Sequence, residues 1–258
     1  MPMIEKTFKL NFSHHQIAGW SRALFSIYMT VFFCSVLYSH NIIFASLPVR
    51  QSELFRYLLF FALLCCAGTF SRRFHYTSLL LIYFIFVLIN VNRFSIYQFH
   101  NSFIGLACLL FCLIPFKSRF DEDDQNFLIK LQFITLAFLS FSYTLSGLSK
   151  LLNAGWTNGN VSSWMIENYV MRPFWVEHFR QQFSELGVFF TWPTLFLETA
   201  PFFLFCYKPL RPFAWFIGVL LNLGILLLIQ LSQVSLILIL FHVLTFNPDW
   251  FKIGREVR

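Results

Sequence analysis

Eight runs of apolar residues, separated by shorter polar or charged stretches, divide the chain from end to end. They cover Arg22–Tyr38, Leu54–Phe70, Tyr76–Val91, Ser102–Phe116, Phe127–Ser149, Phe189–Tyr207, Pro212–Gln230 and Val234–Phe246. A membrane-crossing helix needs about 20 apolar residues, and fewer where aromatic or basic side chains anchor its ends. The pattern predicts an all-α polytopic membrane protein of about eight transmembrane helices, a single bundle over residues 1–258. Met1 to Ile17 is polar and mixed. The run after it is long enough to stay as a helix rather than serve as a cleaved signal. The one long interruption, Lys150 to Val188, holds Gly155, Gly159 and Pro173 among Trp156, Trp164 and Trp175. An ordinary solvated loop would be less aromatic. Short helices on the outer membrane face, or folded back over the bundle, are expected there, with SSWMIENYVMRPFWVEHF as one such helix broken by Pro173.

Composition strengthens the membrane reading. The 258 residues are 57% hydrophobic and 12% charged, and phenylalanine occurs 37 times. Soluble domains carry about 25% charged residues, so an aqueous fold is disfavoured. The net charge of +7 matters through its placement. With the N-terminus inside, the tails and even-numbered connections hold eleven cations, among them Arg72, Arg73, Lys117, Arg119, Lys208 and Arg211, against six on the other side. The positive-inside rule then places both termini in the cytoplasm, and an integral protein of a bacterial-type inner membrane is expected. The acids Asp121–Asp124 count little in that rule and suit the N-terminus of the fifth span. The cations are spread over helix ends, so nucleic acid is not an expected partner; the lipid bilayer is.

All six cysteines lie inside predicted spans and no CxxC occurs. Cys108 and Cys112 share a helix face without a histidine at ligand spacing, so packing is expected and a metal is not. The informative residues are polar ones within apolar runs, because a buried ionisable group is costly unless paired or wet. These are Arg22, Lys130, Lys150, Glu198, Asn222, Gln230 and His242, with His100 at the start of the fourth span. Alternating topology puts His100 and Lys150 on one membrane face. Glu198 lies about 14 Å below the outer end of the sixth span, with Asn222 at similar depth in the seventh, so the two are expected to bond to each other or share a water. Pro201 follows Glu198 and predicts a kink. Each residue also has a simpler reading: Lys150 as a snorkelling helix-end anchor, Arg22 as a lipid-phosphate anchor, His100 as an interfacial side chain.

Several stretches, in order, resemble one family. GWSRALFSIYMTVF, CCAGTFSRRFHYTSLLLIY, FHNSFIGLACLLFCLIP, SYTLSGLSKLLNAGWTNG, LFLETAPFFL and RPFAWFIGVLLNLGI are similar to successive segments of the horizontally transferred transmembrane (HTTM) family. Its best-known member is the vitamin K-dependent gamma-glutamyl carboxylase. The lysine-containing stretch, with Tyr143, Gly147, Lys150 and Trp156, is the most specific part. The resemblance implies that Lys150 is the base that deprotonates a reduced, vitamin K-like quinone, and that His100, followed by Gly105 and Leu106, supports it. Glu198, Asn222, Trp156 and Tyr143 are implied as substrate-binding residues. A lysine can act as such a base only where its surroundings favour the neutral amine. Asn222 stands where many members have histidine, and cannot exchange protons near neutral pH. The carboxylase's large lumenal domain has no counterpart within these residues, so carboxylation of a peptide by this stretch alone is not expected.

A quinol- or lipid-dependent membrane enzyme is thus the leading expectation. The alternative is a non-enzymatic accessory factor that matures or exports a partner peptide. A transporter is disfavoured by the lack of an internal repeat. The charge placement has a direct consequence: a cysteine introduced at Asn158 should react with a membrane-impermeant thiol reagent in intact cells. Labelling only after the cells are opened would put this segment inside and overturn the charge assignment.

Overall fold

The computed structural model describes residues 13–43, 49–91, 98–116, 121–168, 170–229 and 233–251. They form helices α1 (His14–Ile43), α2 (Val49–Thr69), α3 (His75–Val91), α4 (Gln98–Cys112), α5 (Glu122–Leu151), α6 (Ala154–Thr157), α7 (Asn160–Glu167), α8 (Pro173–Glu185), α9 (Gly187–Thr199), α10 (Pro201–Cys206), α11 (Arg211–Leu228) and α12 (Gln233–Leu244). Four segments are long and apolar enough to cross a membrane: Gln16–Cys34, Glu122–Leu151, Gly187–Cys206 and Lys208–Leu228. Arg56–Thr69, His75–Ile85 and Val234–Leu244 are shorter apolar helices. Large apolar side chains such as Leu64, Phe84, Phe196, Phe203 and Leu227 are exposed around the bundle. A soluble monomer rarely shows so much apolar surface; facing hydrocarbon, it is expected.

The main core joins α1–α4, α12 and part of α5, with Phe25 stacked on Phe111 at a 4.4 Å centroid separation beside Met29, Phe33, Ile82 and Phe241. The α5–α10–α11 side has a much smaller core around Leu136, Phe205 and Ala214. Helix α5 belongs to both. Asp121 caps its start, accepting from the Asp124 N–H, while the Asp124 carboxylate accepts from the Asp121 N–H. Three acids in the first turn and Lys150 in the last both complement the helix dipole. The 30 residues span about 45 Å.

His14 Nδ1 lies 2.9 Å from Gln132 Oε1, His14 Nε2 lies 4.0 Å from Asp249, and Gln132 donates to the Leu244 carbonyl. The first and last described helices therefore begin and end at the same side of the bundle, the side on which α5 starts. Arg22, expected as a phosphate anchor, is buried instead. It donates to the Pro115 carbonyl just past α4 and lies 4.5 Å from the Phe116 ring. The carbonyls past the end of a helix lack intrahelical donors, and the guanidinium supplies one.

Pro201 interrupts the helix as expected, dividing α9 from α10. Lacking an N–H, it leaves the Leu197 carbonyl without its helical donor. The Thr144 hydroxyl stitches the break from α5, donating to the Thr199 carbonyl at 3.0 Å and accepting from the Phe202 N–H at 3.2 Å. Pro173 starts α8 rather than breaking a single helix, in keeping with its preference for a first turn. On either side of it, Arg172 and Trp175 cap α11: Arg172 donates from its backbone N–H to the Leu228 carbonyl and from its side chain to that of Leu226, and Trp175 Nε1 donates to that of Leu227.

Gly147 sets the approach of α5 to α9. A Cβ there would stand 2.7 Å from Thr199 Cγ2 and 2.9 Å from its backbone nitrogen, distances that require the helices to separate. Gly147→Ala should therefore lower stability by about 1–3 kcal/mol, read as a reduced midpoint of denaturant unfolding in detergent. An unchanged midpoint would mean that the helices are not this close.

Candidate functional site

The two antiparallel helices α5 and α9–α10 align Gly147 with Thr199 and Thr144 with Phe202. Continuing that register, α5 ends level with about Leu195, while α9 extends to Gly187, roughly 12 Å further at 1.5 Å per residue. Lys150, in the last turn of α5, thus lies well below the end of the bundle. Helices α6 and α7 fill part of the space above it. Asn153 caps α6 by accepting from the Gly155 N–H, and Trp192 Nε1 donates to the Thr157 carbonyl at 3.2 Å. Gly159 adopts φ +78°, a left-handed conformation that suits glycine. It also packs directly on the backbone of Gly187 and Val188, where a Cβ on either glycine would collide.

Glu198 is 4% exposed, and its carboxylate receives Lys150 Nζ on both oxygens, at 2.6 Å on Oε2 and closer still on Oε1. Ser146 Oγ, one turn before Lys150, donates to Oε2 at 3.3 Å. On its other side Lys150 Nζ stands 4.5 Å from the Trp156 ring centroid, a cation–π contact. The ammonium therefore turns into the bundle between a carboxylate and an indole. The helix-end anchor reading of Lys150 does not account for these two contacts.

Lys150, Trp156 and Glu198 line a cavity of about 450 Å³. Its remaining wall is largely apolar: Leu221, Ile225 and Leu228 of α11, Met165 of α7 and Met171, relieved by Ser162, Thr191 and Thr194. Phe190 and Leu220 also line it and are exposed, so the cavity communicates with the apolar flank between α9 and α11. Such a space accepts a body of hydrocarbon or an aromatic ring with a single polar end directed at the ion pair.

Glu198 and Asn222, expected to bond to each other, belong to different networks. Asn222 Nδ2 donates to the Tyr143 hydroxyl and to the Gly218 carbonyl, and Tyr143 Oη is 3.0 Å from His242 Nε2 with the two rings stacked. The reason is register: Asn222 faces α5 nearly two turns below Lys150, where Tyr143 lies. Asn222 is buried and Tyr143 half-buried below the cavity, and neither is part of its wall. Gly218 makes room for His242, whose ring occupies the place of a Cβ there. His100 falls in the first turn of α4, which begins at the same end of the bundle as Lys150; its side chain lies outside the described residues. Gln230 also lies outside them. Among the described residues no group of three His, Cys, Asp or Glu side chains could hold a metal ion.

Ser146 and Thr144 are not among the polar residues expected at the site, and His242 is expected only as a polar residue within an apolar run. Thr144 is legible, since Ser140, Tyr143, Thr144, Gly147 and Lys150 recur at three- and four-residue spacing along one face of α5, and Ser146 lies three residues from Tyr143 and four from Lys150. No family model, curated protein or solved structure matches the chain.

A buried ion pair is costly to break from one side, because the remaining charge is left without compensation, at about 3–5 kcal/mol. Lys150→Met, which strands the buried Glu198 carboxylate, should destabilise the protein by an amount of this order; Glu198→Leu leaves the partly exposed Lys150, which can reach water, and should cost less. The double variant should be less destabilised than the sum of the two, in a double-mutant cycle of unfolding in detergent. Simple additivity would mean that the two side chains do not interact.

Proposed function

We propose that the chain is a multi-pass membrane protein of the HTTM, gamma-carboxylase-like kind, and that its Lys150–Glu198 pair moves a proton on the hydroxyl of a quinol-like or other amphipathic lipid ligand. The observation that carries this reading is the inward-turned Lys150, bonded to a buried carboxylate at the wall of a largely apolar cavity. A headgroup anchor needs neither a carboxylate partner nor a cavity.

The donor set fits a reduced quinone. The ring and its isoprenoid-like tail would lie along Leu221, Ile225 and Leu228, and a hydroxyl would meet Lys150 and Glu198. A reduced quinone would supply two electrons and two protons on its oxygens. The chain's own residues deal with the protons. One proton passing along the existing Lys150–Glu198 hydrogen bond leaves a neutral amine and a neutral carboxylic acid, and the amine can then accept the hydroxyl proton. The ammonium so formed is adjacent to the oxygen anion and stabilises it, with the acid still bonded to Lys150. Trp156 restricts water from above through its contact with the same nitrogen. Tyr143, Asn222 and His242 support the wall from below and keep α5, α11 and α12 in register.

The test is oxidation of a short-chain reduced naphthoquinone or benzoquinone by dissolved dioxygen, the two-electron acceptor, in the presence of the purified protein, followed by absorbance. Lys150→Arg keeps the charge, but guanidinium does not release a proton near neutral pH. This variant should insert and fold, retain the ion pair, and lose activity by about 10²–10⁴-fold. Full activity in Lys150→Arg would end the base assignment. A native protein that neither binds nor consumes any reduced quinone would leave the accessory-factor alternative in its place.

A further inference from the structure

A second cavity, of about 400 Å³, lies at the other end of α5, where Lys130, Phe133 and Leu136 face Arg211 at the start of α11 and Thr245 and Trp250 beyond α12. It shares no wall with the Lys150 cavity. Arg211 is held from one side: Nε donates to the Phe205 carbonyl at 3.1 Å, and the guanidinium lies 4.8 Å from the Phe133 centroid and 5.2 Å from that of Phe205. Its two terminal nitrogens bond to nothing among the described residues. Lys130 is exposed and has no hydrogen bond or ion pair among them either. Asp249, the acid nearest in sequence to Trp250, is 4.0 Å from His14 and does not line the cavity. Two cations that are uncompensated among the described residues thus share a mainly apolar wall.

The outer surface of α5 continues that wall. Ile134, Phe138 and Phe141 are 63%, 48% and 46% exposed and follow one another at helical spacing toward the bundle middle. Helix α5 is about 45 Å long against a hydrocarbon core of about 30 Å. Its three acids in the first turn place the excess at this end, which puts Lys130, two turns in, near the headgroup level. We propose that this cavity binds one anionic phospholipid, with its phosphate between Lys130 Nζ and the terminal nitrogens of Arg211. Its glycerol end lies against Trp250 and its acyl chains along Ile134, Phe138 and Phe141. Soluble anions have the charge but no use for the apolar strip; zwitterionic lipids have the chains but carry a compensating cation of their own. Basic pockets between membrane helices recognise anionic headgroups on these grounds.

The experiment is native mass spectrometry of the full chain released from mixed micelles holding equal amounts of phosphatidylglycerol and phosphatidylcholine. One retained phosphatidylglycerol, in preference to phosphatidylcholine, is expected. Lys130→Ala should weaken its retention about five-fold, the effect of one cation near a phosphate, and Lys130→Arg should restore it. Because Lys130 is exposed and unbonded, neither variant should disturb folding, and an unchanged unfolding midpoint checks this. Equal retention of the two lipids, or retention indifferent to Lys130→Ala, would overturn the proposal. Displacement of the lipid by millimolar inorganic phosphate would also overturn it, in favour of a soluble anion. Lys150 variants should leave retention unchanged, so this result stands apart from any outcome at the upper cavity.

Discussion

A carboxylate within an apolar helix has to find a cation, a proton or water, and in this protein Glu198 finds Lys150. Much of the local structure follows from that requirement. The two residues meet only if α5 and α9 run antiparallel at close range, which Gly147 permits by offering no side chain to Thr199. The meeting point also falls beside the break at Pro201, where the backbone has lost a hydrogen bond. Thr144, one turn before Gly147, returns two bonds to that region. The ion pair, the glycine contact and the threonine stitch therefore act on the same few residues of α9 and α10, and each fixes the register that the others need.

The second consequence concerns space. Because α5 ends about 12 Å short of the end of α9, the ion pair sits at the floor of a cavity. The chain closes the top with short helices rather than with a longer α5. Their placement uses backbone contacts: glycine on glycine at Gly159 and Gly187, and Arg172 with Trp175 on the open carbonyls of α11. The aromatic content of this segment has a structural use in Trp175 and Trp192, which both donate to backbone carbonyls, and a site use in Trp156. Below the floor, Tyr143, Asn222 and His242 tie three helices together through side-chain bonds, with Tyr143 packed against the main core.

Much was legible in the chain itself. Apolar runs place the helices, since a backbone in hydrocarbon must satisfy its own hydrogen bonds. Asp121 and Asp124 mark the start of α5, Pro201 the break after α9, and the polar face from Ser140 to Lys150 the side of α5 that turns inward. Those are local properties, set by residues within a turn or two of one another. Partners were not legible in the same way. Depth along each helix suggested that Glu198 would meet Asn222, yet Lys150 takes the carboxylate and Tyr143 takes the amide. Arg22 looked like an anchor at a helix end, yet it caps the end of α4 from within. A sequence reports which face of a helix is polar, but which residue stands opposite depends on the rotation and axial offset between two helices. Those are decided by packing contacts such as Gly147 on Thr199, between residues 52 positions apart in the chain, and only the tertiary structure determines them.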